Sequence, residues 1–406
     1  MVLEGPLAYL TYIGIILLIG IICTVISNKL KMPNILFLII AGLLLGWIPY
    51  KGQPIISFPD LFITSISTLA LVMIVFDSSS KFKLSMLKAY SLPILNLSFT
   101  FLIVNLVALS FFALLLFREM NLIWYALVFA AIMSGTDPGA VLMMFKGSAN
   151  RVLQVLEFES VINTPITVLI PFIILEMYKN FGSEIIVSQF ISQIGPFLQQ
   201  VVSGIGAGIL VGIIVFKFMR KQYSETLSPL ALITAALLTY IIAENLKGNG
   251  VLAVTVMGVF FGNLYIKEKE HLIEFSSLFA NALEILVFVL VGLVIKAPFT
   301  ISYLWRALVL FIIYLILRYI AIAFAMRNYN YSFKHKIFMA LNVQKGIATA
   351  VVVLALSTLG IPELKSVVDL SLMFMIYSII LSTVVGKFSG FFLDISPRSL
   401  IAKVKS

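Results

Sequence analysis

The chain has 406 residues, of which 61% are hydrophobic and 11% charged, and it carries a formal net charge of +10. Soluble domains hold roughly a quarter charged residues, so this composition, with a mean hydropathy of +1.11, excludes a water-soluble globule. A single cysteine, Cys23, excludes an intramolecular disulfide and any thiolate cluster, and the only histidines, His271 and His335, stand beside charged loop residues and argue against a haem or histidine-metal site.

The apolar character begins at once and continues along the whole length. The opening MVLEGPLAYL has neither the basic start nor the small-residue cleavage site of a secretory signal. A helix crossing a hydrocarbon core about 30 Å thick needs about 20 apolar residues. On that measure thirteen spans are predicted, near 7–27, 33–49, 58–76, 91–117, 121–145, 152–178, 194–216, 227–244, 250–266, 273–295, 301–325, 335–358 and 366–390. The runs are continuous rather than alternating, so membrane strands are not expected. The expectation is an all-α polytopic membrane protein whose residues 1–406 form one transmembrane domain in contact with lipid. No soluble regulatory domain, no cofactor and no nucleic-acid partner is expected.

Lysine and arginine sort by side of the membrane. Loops after odd-numbered spans, with the C-terminal tail, hold 19 of them, against 7 in the other loops. The positive-inside rule then places the N-terminus outside and the C-terminus in the cytoplasm, which implies the plasma membrane. Arg318 and Lys345 remain, and both fall inside predicted spans.

A weak repeat runs through the chain. The second span has Gly42 and Gly46 in AGLLLGW, and the ninth has Gly258 and Gly262 in MGVFFGN. Small residues four apart let helices approach closely in lipid. Residues of about 33–178 and 250–390 therefore read as two copies, each with an interrupted helix at its fourth position. Seven spans separate the copies, so they enter the membrane from opposite sides, the secondary-transporter pattern.

Four ionisable groups lie deep in the spans, where each costs roughly 2.5–3.5 kcal/mol on insertion scales and persists mostly by pairing or working. Asp137, in MSGTDPGAV, precedes Pro138 and lies between Gly135 and Gly139, a composition that breaks the helix. Asp137 is expected as the N-cap of the second half, with Pro138 at its first position. It either only holds the kink or also touches an ion. Lys345, in LNVQKGIAT, occupies the equivalent place in the second copy, where a cation offsets the negative pole of a half-helix or else snorkels. Glu159 and Asn163 share a helix face with Ser160 and Thr164 beside them, an oxygen set suited to a hard monovalent cation. Arg318 is the buried base expected to reach Glu159, as a packing pair or as part of a site. Asp77, in VFDSSSKFK, reads as a solvated cap, and Glu284, in NALEILVF, as a residue near the start of the tenth span facing an interface.

Together TDP at 136–138, ES with Asn163 at 159–163, buried Arg318 and KG at 345–346 resemble the cation–proton antiporter superfamily, and most closely its NhaP-like branch. The resemblance implies a homodimer exchanging Na⁺, or another monovalent cation, for H⁺, with a six-helix core that moves like an elevator. The fifth and twelfth helices would cross at unwound centres. Thr136, Asp137, Glu159 and Ser160 would serve the ion, Asn163 and Arg318 would bridge to Glu159, and Lys345 would balance helix ends. One departure stands out. The family pattern has Asn-Asp where this chain has Asn163-Thr164, and a hydroxyl coordinates a cation without exchanging a proton at physiological pH. Exchange then falls to Glu159 or Asp137; the alternatives are another small solute or a non-transporting scaffold.

Overall fold

In a computed structural model of the chain, residues 6–393 are described apart from short stretches at 31, 48, 51–52, 55, 57, 83, 121, 145–149, 182–186, 222–223, 225–226, 265–267 and 295–297. Of the basic loop residues that set the orientation, Lys31, Lys51, Lys83, Lys146, Lys267, Lys296, Arg398, Lys403 and Lys405 lie outside the described residues.

The first helices in chain order are α1 (Pro6–Leu30), α2 (Asn34–Trp47) and α3 (Asp60–Ser80), followed by α4 (Leu84–Val104), which continues through a π turn at Asn105–Leu109 into α5 (Ser110–Leu116). Then come α6 (Ile123–Ile132), α7 (Gly139–Met144), α8 (Arg151–Phe181), α9 (Val187–Lys221), α10 (Leu227–Asn245) and α11 (Gly250–Asn263). The last are α12 (Lys269–Val294), α13 (Ile301–Ala325), α14 (Phe333–Leu341), α15 (Ile347–Ser357), α16 (Leu364–Lys387) and the short α17 (Ser389–Leu393). Among the described residues nine helices are long and apolar enough to cross a membrane, and α2, α6, α11 and α15 are shorter apolar helices. The thirteen expected spans are therefore not thirteen whole helices. One small departure from the all-helical expectation lies at the end of the second expected span, where Pro49–Tyr50 pairs antiparallel with Gln53–Pro54.

The fifth and twelfth expected spans are each broken. In the fifth, α6 stops at Ile132 and α7 starts at Gly139, because Pro138 supplies no N–H and disfavours a helical Asp137. The twelfth has no proline. Its break, between Leu341 and Ile347, is held by contacts with other helices that replace the helical bonds: the Lys345 backbone N–H donates to Ser378 Oγ of α16 at 3.1 Å.

The glycine motifs are seams between helices. A side chain at Gly42 would run into the Val289 carbonyl of α12, and one at Gly262 into the Ser80 carbonyl of α3. Thus α2 lies backbone to backbone on α12, and α11 on α3, as small residues allow in lipid. α15 packs on both α3 and α12, which sets the second broken helix against this wall. On the far side, α13 turns Ile301, Trp305, Ile312, Ile316, Ile320 and Phe324 outward, the apolar face expected toward lipid.

Candidate functional site

The two breaks meet. The Asp137 N–H donates to the Gln344 carbonyl at 2.8 Å, so unwound backbone of one span satisfies unwound backbone of the other. Gly346 is the point of closest approach, since a Cβ there would collide with the Asp137 carboxylate. The Asp137 Oδ1 accepts from the Gly139 N–H at 2.9 Å, while the first turn of α7 closes between Leu142 N and the Pro138 carbonyl. The cap is therefore displaced by one residue from expectation: Pro138 occupies the capping position and Asp137 caps from outside, still at the positive end of the half-helix.

Lys345 answers the opposite pole. Its ammonium donates to the carbonyls of Met133 (2.7 Å) and Gly135 (2.6 Å), at the C-terminal end of α6, and to Tyr314 Oη (2.6 Å). Three donors meet three acceptors, and the side chain is fully buried, so it does not snorkel. The charge offsets the dipole of the other broken span rather than of its own.

Arg318 and Glu159 form a bidentate pair across α13 and α8, at 2.5 and 2.6 Å, with both side chains 0% exposed. Phe101 covers the guanidinium, 4.4 Å from ring centroid to Cζ. Arg318 Nε has no partner among the described atoms. A fork-to-fork pair is the geometry that lets a buried ion pair offset its desolvation. It also occupies both oxygens of Glu159.

In front of the crossing lies a cavity of about 310 Å³. Thr136, Asp137, Ser160, Asn163 and Thr164 all line it, together with Asp77, Glu157 and Thr167. Glu159, Arg318 and Lys345 do not line it. The expected bridge also rearranges: Asn163 Nδ2 donates to Thr136 Oγ1 at 2.9 Å, which ties α8 to the break, rather than to Glu159. Asn163 Oδ1 has no partner among the described residues, although the residue is 3% exposed. Thr164 Oγ1 donates to the Ser160 carbonyl at 2.7 Å, leaving its lone pairs free to accept or coordinate.

Asp77 and Glu284 are placed differently from the sequence expectation. Asp77 is no free cap: it accepts from Lys81 Nζ at 2.6 Å and from Ser277 Oγ of α12 at 2.7 Å, and it borders the cavity. Glu284 is not near a helix start but well inside α12. A local signal existed only for Asp77, whose Lys81 follows at i+4; the role of Glu284 depends on how α12 packs.

A helical bundle in which two interrupted helices cross beside a cavity lined by oxygens defines an integral membrane protein of the secondary-transporter class. The family described as "Sodium/hydrogen exchanger, transmembrane" matches residues 14–389, and the chain belongs to it. It is 32% identical over 308 residues to the Na(+)/H(+) antiporter NhaH of Halobacillus aidingensis, covering 70% of this chain and 73% of that one. It is 25% identical to the Na(+)/H(+) antiporter 1 of Methanocaldococcus jannaschii, covering 87% of this chain and 84% of the relative. The K(+)/H(+) antiporter NhaP of Alkalimonas amylolytica is also 25% identical; the match covers 86% of this chain but spans only 61% of that relative's length. The fold matches the sodium proton antiporter MjNhaP1 from Methanocaldococcus jannaschii, with a TM-score of 0.76 at 21% identity, over 95% of this chain and 97% of that structure.

Proposed function

We propose that the chain exchanges a monovalent cation, Na⁺ first among them, for H⁺ by alternating access, with both substrates using the cavity at the crossing. The observation that carries this reading is the convergence of oxygens there. The Asp137 carboxylate, the unpartnered Asn163 Oδ1, and the hydroxyls of Thr136, Ser160 and Thr164 line one small space. Hard oxygens without thiol or imidazole suit an alkali cation.

Asp137 is the carboxylate that cation and proton would compete for. One carboxylate that holds either H⁺ or a monovalent cation gives one-for-one exchange without net charge movement. Glu159, expected to touch the ion, is assigned a supporting part instead: with both oxygens on Arg318 it holds α8 in register with α13. Asn163 positions Thr136, and Lys345 with Gln344 keeps the crossing unwound.

Residues 33–178 and 250–390 act as inverted repeats in this reading. The seams support it, since α2 of the first packs on α12 of the second and α11 of the second on α3 of the first. The core would move against this wall in a homodimer in the plasma membrane, with the N-terminus outside and the C-terminus in the cytoplasm.

Purified protein in vesicles with an imposed pH gradient tests the function. Addition of Na⁺, Li⁺ or K⁺ is expected to collapse the gradient for at least one cation, and the order of half-effective concentrations gives selectivity. A gradient indifferent to all three, with the protein correctly inserted, sinks the proposal.

A further inference from the structure

A second cavity, of about 380 Å³, lies among three helix ends and shares no lining residue with the crossing. There α5 closes at Leu116, α13 is capped by Thr300 and α16 begins at Leu364. The volume falls in the range of about 300–1,000 Å³ usual for small-molecule sites. Its lining carries charges of both signs, Arg306 and Lys365 against Glu119 and Asp369, together with the hydroxyls of Tyr303 and Ser366.

Part of this set is already fixed. Arg306 Nη1 donates to the Leu116 carbonyl at 3.1 Å and to Glu119 Oε1 at 3.0 Å, and the guanidinium lies over Phe117, 5.0 Å from ring centroid to Cζ. Phe117 in turn meets Tyr303 edge to face, with centroids 5.4 Å apart. The remainder is buried without partners. Asp369 is 5% exposed and Tyr303 8%. Among the described residues Asp369 makes no hydrogen bond or ion pair, and neither Tyr303 Oη nor Arg306 Nε has a partner. Buried polar groups are ordinarily hydrogen-bonded, and a buried charge is costly unless it is paired. The cavity therefore calls for a positive donor at Asp369 and for an acceptor at Arg306.

Those two demands fit a zwitterion, and the position of the cavity fits a lipid. Ile301 and Trp305, on the outward apolar face of α13, are exposed beside it, and tryptophan collects at the level of the head groups. Hydrocarbon thus gives way to polar surface at the cavity. We infer that it binds the head group of an aminophospholipid of the phosphatidylethanolamine type. The primary ammonium donates to Asp369 and to Tyr303 Oη, the phosphate accepts from Arg306 Nε and Lys365, and the acyl chains follow the outward face of α13. The inference does not depend on which ion the chain carries. α13 and α16 also bring Arg318 and Ser378 to the crossing region, so the lipid is fastened to the helices that hold the site.

The test is native mass spectrometry of the intact chain in detergent with equal amounts of phosphatidylethanolamine, phosphatidylcholine and phosphatidylglycerol. Wild type is expected to retain phosphatidylethanolamine about tenfold over phosphatidylcholine, the order of one charge-assisted hydrogen bond. Both lipids are zwitterions, and only the first has N–H donors. D369N should remove most of that preference. Y303F, which deletes a hydroxyl alone, should lower it about threefold. Phosphoethanolamine and inorganic phosphate, soluble sources of the same groups, should displace little of the lipid. Equal retention of the two zwitterionic lipids by wild type, a preference for phosphatidylglycerol, or no retained lipid overturns the inference. So does a D369N ratio equal to that of wild type or, should D369N not be recovered folded, a Y303F ratio equal to that of wild type. Displacement by phosphoethanolamine or phosphate at the lipid's own concentration overturns the lipid assignment and makes the site one for a soluble phosphate compound.

Discussion

The two carboxylates of the site divide by what their oxygens already hold. Glu159 has both on Arg318, at 2.5 and 2.6 Å, and removing one partner of such a pair leaves an uncompensated charge worth about 3–5 kcal/mol. Asp137 has one oxygen on the Gly139 N–H and borders the cavity. The two therefore fail differently. Glu159→Gln should lower the melting temperature in detergent markedly and reduce exchange by depleting folded protein. Asp137→Asn keeps an acceptor for Gly139 and should leave melting within a few degrees of wild type while abolishing exchange. A Glu159→Gln protein of normal stability but without exchange would instead restore direct ion contact to Glu159. At this scale the sequence was informative about identity and weaker about partners. Glu159, Asn163, Arg318 and Lys345 stand out because polarity inside an apolar run is conspicuous, and the Glu159–Arg318 pairing follows from scarcity of buried bases. That Asn163 answers to Thr136, or that Asp77 reaches Ser277, depends on rotamers and helix rotation that no local pattern encodes.

Among the elements, the two broken spans differ in how they are written. The first is punctuated by Gly135, Pro138 and Gly139, so its interruption is legible from backbone chemistry alone. The second has only Gly346 to suggest it, and its unwinding is held by Ser378, Gln344 and the Lys345 ammonium across helices. Its integrity should accordingly be the more sensitive to point changes. Gly346→Ala places a methyl against the Asp137 carboxylate, an overpacking of about 1–3 kcal/mol, and should cut exchange at least tenfold with a modest loss of stability. Lys345→Met deletes the partner of the Met133 and Gly135 carbonyls, each costing about 1–3 kcal/mol when left unpaired. Thermal unfolding should fall further for Lys345→Met than for Gly346→Ala. The reverse order would mean that the crossing is kept by shape rather than by charge. The π turn at Asn105–Leu109 had no visible signal, since nothing in NLVAL breaks a helix. Asn105 Nδ2 there donates to Ser134 Oγ beside the first break, a contact between helices that sets the turn.

For the molecule as a whole, composition and hydropathy sufficed for the class, and the order of spans carried most of the architecture. Length alone was a poorer guide, because unwound backbone belongs to a span without looking helical. The sidedness proposed from charge is open to a direct check: a fluorescent protein fused after Ser406 should fold and fluoresce in cells, and a phosphatase that needs an oxidising compartment should be inactive there. The opposite pattern would invert the proposed orientation.

The bonds at the crossing have a mechanical corollary. Asp137 to Gln344, and Lys345 to Met133 and Gly135, fasten four half-helices into a single strut. Such a strut has little give, so substrate loading cannot be relayed by bending it, and whatever exposes the cavity to the other leaflet has to displace the strut entire. Displacing a stiff body through lipid works against the membrane's own elasticity. Turnover in this protein should then depend on acyl-chain length and sterol content even where cation affinity does not, making the bilayer a kinetic component of the machine.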